Sequence, residues 1–166
     1  MCSSDLMQPK DEDEFADMLH TSLKSGAPMF IRYPRGAAAG KAIKPQPALI
    51  PLGEAEVLRA GADVQLWALG TMVPEAQALA DRLAAETGLA VGVVNARFAK
   101  PIDASLLVAQ AKAAKLIVTL EENAVIGGAG TEVARAVDAA RSSCRVLPQG
   151  LPDRFIDHGD QAQLLA

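Results

Sequence analysis

The feature that most constrains the fold is a regular alternation of strand and helix patterns from residue 61 onward. Short apolar runs, suited to buried strands, alternate with amphipathic segments of about 10 to 15 residues. The predicted strands are residues 64–69, 91–95, 116–120 and 145–147, and the predicted helices are residues 71–86, 104–112 and 131–140. Strands joined by helical crossovers pair in parallel. The pattern therefore predicts a three-layer α/β/α domain over residues 61–166, with a largely parallel sheet and helices on both faces.

A helix is predicted to begin near residue 11. Asp11 is a suitable N-cap, and Glu14 follows three residues later, in the spacing of a capping box. The acidic run at residues 11–14 favours the positive end of the helix dipole. We interpret this run as a solvated helix start and not as a set of ligands.

The rest of the first 60 residues is less regular. Residues 29–33 predict one strand, and one helix with one strand buries too little apolar surface to be stable alone. We therefore expect residues 7–36 to be the end of a larger domain. Residues 37–60 are rich in Gly and Pro and are interpreted as a linker. Within them, a short hairpin is expected over residues 50–58.

Composition narrows the classes of function. Half of the 166 residues are hydrophobic, 22% are charged, and the formal net charge is −4. No basic stretch could neutralise a phosphate backbone, which argues against nucleic-acid binding. No apolar run is long enough to span a membrane, and the N-terminus has no signal-peptide core. We expect a cytoplasmic location. The two cysteines, Cys2 and Cys144, have no metal-site spacing, and Cys144 is expected to be a buried small hydrophobe.

The glycine-rich loop at residues 126–131 invites interpretation as a phosphate site, because it precedes a helix N-terminus. Val133 stands where the third glycine of a dinucleotide fingerprint belongs, and no Lys-Ser or Lys-Thr pair completes a P-loop. We therefore favour close packing of helix on sheet.

Glu121 and Glu122 precede this loop at a strand end. Their side chains are expected to point in opposite directions, so a structural or subunit-contact role is favoured over a catalytic pair.

Three arginines lie at strand ends. Arg32 and Arg35 flank the end of the first strand, where bidentate contacts to a phosphate or carboxylate are geometrically natural. From pattern alone, surface ion pairs remain the competing interpretation. Arg97 follows the strand at residues 91–95, and a salt bridge with a neighbouring acid is expected for it.

Five blocks of sequence occur in an order that resembles the 1-deoxy-D-xylulose-5-phosphate synthase family. They are Arg32-Tyr33-Pro34-Arg35-Gly36, residues 69–72 (LGTM), residues 95–103 (NARFAKPID), residues 118–130 (VTLEENAVIGGAG) and residues 150–155 (GLPDRF). Ordered blocks over about 150 residues are far more specific than any one motif. The resemblance begins near Met7, so residues 1–6 are left as an unmatched N-terminal scar.

The resemblance implies a transketolase-like protein with three α/β domains, a homodimer, and thiamine diphosphate held by Mg²⁺ between the first two domains. It implies that residues 7–36 end a pyrimidine-binding domain and that residues 61–166 form the transketolase C-terminal domain. The implied reaction condenses pyruvate with glyceraldehyde 3-phosphate and releases carbon dioxide. The resemblance also implies that Arg35 grips the acceptor's phosphate, with Arg32 as a second candidate.

The segments that hold the metal and activate the cofactor in that family have no counterpart between Met1 and Ala166. We therefore expect no catalytic, cofactor-binding or metal-binding residue in this chain, and no activity from it alone. Two alternatives stay open. One is another transketolase-superfamily member, such as a transketolase or an oxo-acid dehydrogenase β subunit. The other is a non-catalytic dimerisation or assembly module.

Overall fold

The computed structural model describes residues 4–34, 40–156 and 159. Arg35 and Cys2 lie outside the described residues. In chain order the elements are β1 (Asp5–Met7), α1 (Glu12–Ser25), β2 (Met29–Ile31), β3 (Glu56–Arg59), β4 (Val64–Ala68), α2 (Met72–Thr87), β5 (Val91–Asn95), β6 (Phe98–Lys100), α3 (Ala104–Ala113), β7 (Leu116–Ala124), α4 (Ala129–Ala139) and β8 (Arg145–Leu151). Every helix and strand predicted from the alternating pattern after residue 61 is present.

The larger sheet has five strands in the order β3-β5-β4-β7-β8. Strands β5, β4, β7 and β8 run parallel, and β3 is antiparallel to β5 at one edge. In the central register, Leu66 lies opposite Val93 on one side and Val118 on the other. The prediction of a largely parallel sheet is confirmed. We call this sheet with its helices, residues 56–151, the C-terminal domain.

Helices cover both faces of this sheet because alternate strand residues point in opposite directions. Leu66 and Ala68 pack with Ala76 and Ala80 of α2 on one face. Trp67 and its neighbours pack on the other face against α3 and α4, through Leu107, Ala111, Val133 and Val137. The Trp67 indole Nε1–H donates to Gln110 Oε1 at 2.7 Å, so the polar atom of this buried ring is satisfied. The three-layer α/β/α architecture is confirmed.

A second, smaller sheet has the order β2-β1-β6. Strand β1 pairs in parallel with β2 and antiparallel with β6, which belongs to the chain between β5 and α3. Met7, Met18, Ile50 and Phe98 form its core. We call β1, α1 and β2 with their connections, residues 4–34, the N-terminal unit. Residues 5 and 6, which we had assigned to an unmatched scar, form part of a paired strand.

Three other expectations are corrected. The hairpin over residues 50–58 does not form, since β3 pairs with β5 and not with a neighbouring segment. The sheet thus begins at residue 56, within the segment interpreted as linker. Strand β7 continues through residue 124, so Glu121 and Asn123 lie inside the strand and not after it. These differences arise from pairing between distant segments, which local patterns do not encode. None of the helices within the described part of the chain is long and apolar enough to cross a membrane.

Candidate functional site at the end of strand β2

Arg32 directly follows β2 and is held at both its backbone and its side chain. Its backbone N–H donates to the carbonyl of Met7 at 2.9 Å. Its Nη1 donates to Asn123 Oδ1, and its Nη2 donates to the backbone carbonyl of Glu122 at 3.3 Å. A guanidinium carries five N–H donors, so these contacts use two of them. The residue is exposed, and its remaining donors can reach a ligand.

Tyr33, the next residue of the Arg-Tyr-Pro-Arg block, is also held. Its ring meets the ring of Phe15 from α1 edge-to-face, with centroids 5.2 Å apart and planes at 71°. This is a favourable arrangement for an aromatic pair. Two consecutive side chains therefore fix the chain as it leaves β2: Arg32 contacts β7, and Tyr33 contacts α1.

Asn123 connects this strand end to the C-terminal domain. Its Nδ2 donates to Glu121 Oε2 at 3.0 Å. The two carboxylate oxygens of Glu121 also accept from the backbone N–H groups of Ala129 at 2.9 Å and Gly130 at 2.8 Å, in the first turn of α4. Glu121 is only 3% exposed. The carboxylate thus satisfies helix donors that would otherwise be unpaired and lies at the positive end of the helix dipole.

The glycine loop is shaped around this carboxylate. A Cβ at Gly128 would lie 2.5 Å from Glu121 Oε1, a distance that no real contact tolerates. The loop's glycines therefore allow the backbone to approach Glu121, which supports the expected close packing. A phosphate at this helix N-terminus would have to displace a buried carboxylate. The structural role favoured for Glu121 is supported as well.

A buried polar cluster joins α1 to the C-terminal domain. Arg97 Nε donates to Glu14 Oε1 at 2.8 Å, and its Nη2 lies 3.2 Å from Glu56 Oε2. The fully buried Asn95 donates through Nδ2 to Glu14 at 2.8 Å, and Lys10 binds both glutamates. The salt bridge expected for Arg97 is confirmed. Burial alone would lower the pKa of Lys10, but its hydrogen bond to Glu56 and the charge of Glu14 outweigh it and raise that pKa.

The interpretation of residues 11–14 as a solvated helix start is wrong for Glu14, which is 3% exposed. The cap itself is as predicted, since Asp11 Oδ1 accepts from the Glu14 N–H at 2.8 Å. Glu14, however, accepts from the backbone N–H of Lys10 and not from that of Asp11. Its main partners are Asn95, the last residue of β5, and Arg97, two residues further on, more than 80 positions away, because α1 packs across that strand end.

Two other acids of α1, Asp13 and Asp17, hold the segment at residues 40–48. Lys44 Nζ lies 2.9 Å from Asp13 and 2.5 Å from Asp17. The Lys44 backbone N–H also donates to Asp13 at 2.8 Å, and this bond is the main reason that the pKa of Asp13 is lowered. The Ala48 N–H donates to Asp17 at 2.7 Å. Residues 40–48 therefore lie along α1, and the acids of that helix hold this segment at Lys44 and Ala48.

The structure offers no place for a metal or a diphosphate among the described residues. No group of three or more His, Cys, Asp or Glu side chains converges in residues 4–34, 40–156 and 159. The glycine loop, the best local candidate for a diphosphate, is filled by Glu121. Cys144 is buried, as expected, and burial raises the pKa of its thiol. The residues present do not fit thiamine diphosphate with Mg²⁺.

Of the two predicted phosphate-binding residues, the structure places Arg32 at the junction of β2 and β7. Arg35 lies outside the described residues. The residue that sequence reasoning missed is Asn123, which directly follows the two acids at the end of the predicted strand. Its partner, Arg32, is 91 positions away, so no local signal could have identified the contact.

A family model described as "Transketolase, C-terminal domain" matches residues 53–166. Curated relatives named 1-deoxy-D-xylulose-5-phosphate synthase include one from Azoarcus sp. (strain BH72), 48% identical over 162 residues, which covers 97% of this chain and 25% of the relative. Another, from Acidobacterium capsulatum, is 42% identical over 160 residues, covering 96% of this chain and 25% of the relative. The chain thus spans about a quarter of the length of these relatives.

Among solved structures, one described as "Split gene transketolase, inactive beta4 tetramer" superposes with a TM-score of 0.82 at 32% identity, covering 93% of this chain and 50% of that one. The resemblance to 1-deoxy-D-xylulose-5-phosphate synthases inferred from the sequence blocks is confirmed. Since the family model matches residues 53–166, more than half of the chain, the protein belongs to the transketolase C-terminal domain family.

Proposed function

We propose that this chain acts as the C-terminal part of a thiamine-diphosphate-dependent transferase. The reaction joins pyruvate and glyceraldehyde 3-phosphate into 1-deoxy-D-xylulose 5-phosphate, with loss of carbon dioxide. The observation that carries the proposal is similarity to synthases of that name over 97% of the chain. The similarity includes the Arg-Tyr-Pro-Arg block, whose first arginine is held at a strand end with donors to spare.

In this proposal the chain's own contribution is to bind the acceptor's phosphate. Arg35 makes the main charge-assisted contact, and Arg32 makes a secondary one with the donors that Asn123 and Glu122 leave unused. A guanidinium suits this task because its planar fork matches two oxygens of a phosphate. The chain does no bond-breaking chemistry itself. It orients the aldehyde by its phosphate.

The cofactor belongs to the parts of the synthase that this chain does not match. The Mg²⁺ ion that holds thiamine diphosphate needs oxygen ligands in a near-octahedral array. The described residues contain no group of three or more side chains that could bind a metal ion. We therefore propose that the ligands lie in the three quarters of the relatives' length that the chain does not span. The chain alone is expected to bind no thiamine diphosphate and to make no product.

We also propose that the chain works within a homodimer in the cytoplasm. The exposed apolar side chains Leu23, Phe30 and Tyr33 of the N-terminal unit support contact with further protein. Other transketolase-superfamily activities are less well supported, since the synthases match this chain at 40% to 48% identity. A purely non-catalytic assembly role is the remaining alternative, and the experiment below separates it from the proposal.

The test is a chimaera in which this chain replaces the matching C-terminal quarter of the Azoarcus synthase. Because a charge-assisted hydrogen bond contributes about 1.5–3 kcal/mol, Arg35→Ala should lower kcat/KM for glyceraldehyde 3-phosphate by about 10- to 150-fold. The KM for pyruvate should change little. Glu132→Ala, which removes an exposed i,i+3 ion pair on α4, is the control and should behave like the parent chimaera.

An inactive but folded chimaera would favour the assembly role. An active chimaera whose kcat/KM for glyceraldehyde 3-phosphate is indifferent to Arg35→Ala would remove Arg35 from the site.

A further inference from the structure

We propose that Asn123 is a positioning residue that orients Arg32 toward the acceptor's phosphate. The inference rests on the proposed function and extends it to a residue of the C-terminal domain. Asn123 lies on β7, whereas Arg32 follows β2, so the contact joins the two parts of the molecule. No other described side chain hydrogen-bonds to the Arg32 guanidinium, since its second contact is the backbone carbonyl of Glu122.

The orientation of the Asn123 amide is dictated by its two neighbours. Its oxygen accepts from the Arg32 guanidinium, and its nitrogen donates to the Glu121 carboxylate. A flipped amide would place N–H groups against a cation and an oxygen against an anion, losing both hydrogen bonds. Only one amide orientation satisfies both partners. Asn123 therefore presents its oxygen to Arg32 in a fixed direction.

The anchor behind Asn123 is rigid. Glu121 is held by two backbone N–H groups of the first turn of α4, and its carboxylate is buried. The backbone of Asn123 is also closely packed, because a Cβ at Gly150 of β8 would lie 2.6 Å from the Asn123 carbonyl oxygen. The buried core of the C-terminal domain thus fixes the direction of the Arg32 guanidinium, through Glu121 and Asn123.

This arrangement matters because a free arginine side chain is costly to order. Immobilising a rotamer-rich side chain costs about 0.5–1.5 kcal/mol on binding, and a side chain held in place beforehand avoids that cost. Arg32 is exposed, so without Asn123 its guanidinium would sample several rotamers. With Asn123 in place, its unused N–H donors keep one direction, which favours phosphate binding without changing the chemistry at the aldehyde.

The experiment measures acceptor kinetics of the chimaera with two probes, glyceraldehyde 3-phosphate and unphosphorylated D-glyceraldehyde. Asn123→Ala should raise the KM for the phosphorylated probe by about three- to tenfold, the range for losing one ordinary hydrogen bond. The kcat and the kinetics with D-glyceraldehyde should stay within about twofold.

A double-mutant cycle tells positioning from general destabilisation. If Asn123 acts through Arg32, adding Asn123→Ala to Arg32→Ala should have no further effect on the KM for the phosphorylated probe. Additive effects, or equal losses with both probes, would overturn the inference. Should Arg35→Ala impair use of the phosphate while Asn123→Ala does not, only this inference fails. Should neither variant matter in an active chimaera, the proposed binding of the acceptor's phosphate by this chain fails as well.

Discussion

Strand β5 of the C-terminal domain is buried along its whole length, whereas β2 of the N-terminal unit leaves Phe30 61% exposed. The C-terminal domain is covered by helices on both faces of its sheet and is held mainly by apolar packing. The core of the N-terminal unit is a cluster of four buried apolar residues, and two of them, Ile50 and Phe98, come from outside the unit. It is held to the rest of the molecule largely by hydrogen bonds and ion pairs.

The difference indicates which region should contribute most to the free energy of unfolding and which region should respond most to pH. Apolar burial contributes roughly 25 cal/mol per Å² and is insensitive to pH. Polar contacts near the surface contribute less, and they depend on the ionisation of both partners. The C-terminal domain should therefore set global stability, and the N-terminal unit should open first. Three measurements can break or sharpen this comparison.

The largest expected effect is in native-state hydrogen exchange. Backbone amides of β4, β5 and β7 should exchange at least about 1000-fold more slowly than those of β2, a difference of about 4 kcal/mol in opening free energy. The physical reason is that β2 is a three-residue edge strand with little buried apolar surface. Equally strong protection in both regions of a verified monomer would contradict the comparison.

The second effect concerns the buried carboxylate of Glu14. Glu14→Ala removes the acceptor for Asn95 and Arg97, and should lower the opening free energy of the N-terminal unit by about 2–3 kcal/mol. Hydrogen exchange in α1 and β2 measures this change, and the protection of amides of β4, which does not hydrogen-bond to Glu14, should fall less. Glu132→Ala on α4 is the matched control, since it removes a solvent-exposed carboxylate and should change neither region.

A loss of protection spread evenly over both regions after Glu14→Ala would mean that the molecule unfolds as one unit. The proposed difference in stability between the two regions would then be wrong.

The smallest effect is a pH dependence of the segment at residues 40–48. The pKa of Asp13 lies below its ordinary value of 3.8 because the Lys44 backbone N–H and ammonium favour the carboxylate. A lowered folded-state pKa means that the stabilisation is present above the ordinary pKa and is lost as pH falls through the lowered value. The Lys44 amide resonance should therefore shift toward its free position only below about pH 4. Asp13→Asn should abolish this transition.

Glu56 should give the polar cluster of Lys10, Glu14, Asn95 and Arg97 a pH dependence of the same sign. Its burial would raise its pKa, but the hydrogen bond from Lys10 and the charge of Arg97 outweigh it and lower the pKa below 4.5. Loosening of residues 40–48 between pH 5 and 7, where the Asp13 carboxylate is ionised, would show that other contacts control this segment.

Much of the C-terminal domain could be predicted because its signals are local. Apolar runs and amphipathic periods each extend over fewer than 20 residues, and they are enough to specify strand or helix. The parallel sheet then follows from the crossover rule, which is general. The N-cap at Asp11, in the N-terminal unit, was equally local, since it depends on backbone conformation within one turn.

The contacts that define the candidate site were decided only by the tertiary structure. Arg32 and Asn123 are 91 positions apart, and Arg97 and Glu14 are 83 apart. The glycine loop at residues 127–130 is a further example of a contact that the sequence could not predict. By itself the sequence determined that a glycine-rich turn precedes a helix, but only the folded chain brings the Glu121 carboxylate to that helix. Local patterns specify what each segment can form, whereas side-chain partners depend on the docking of distant segments, which has no signature within any single segment.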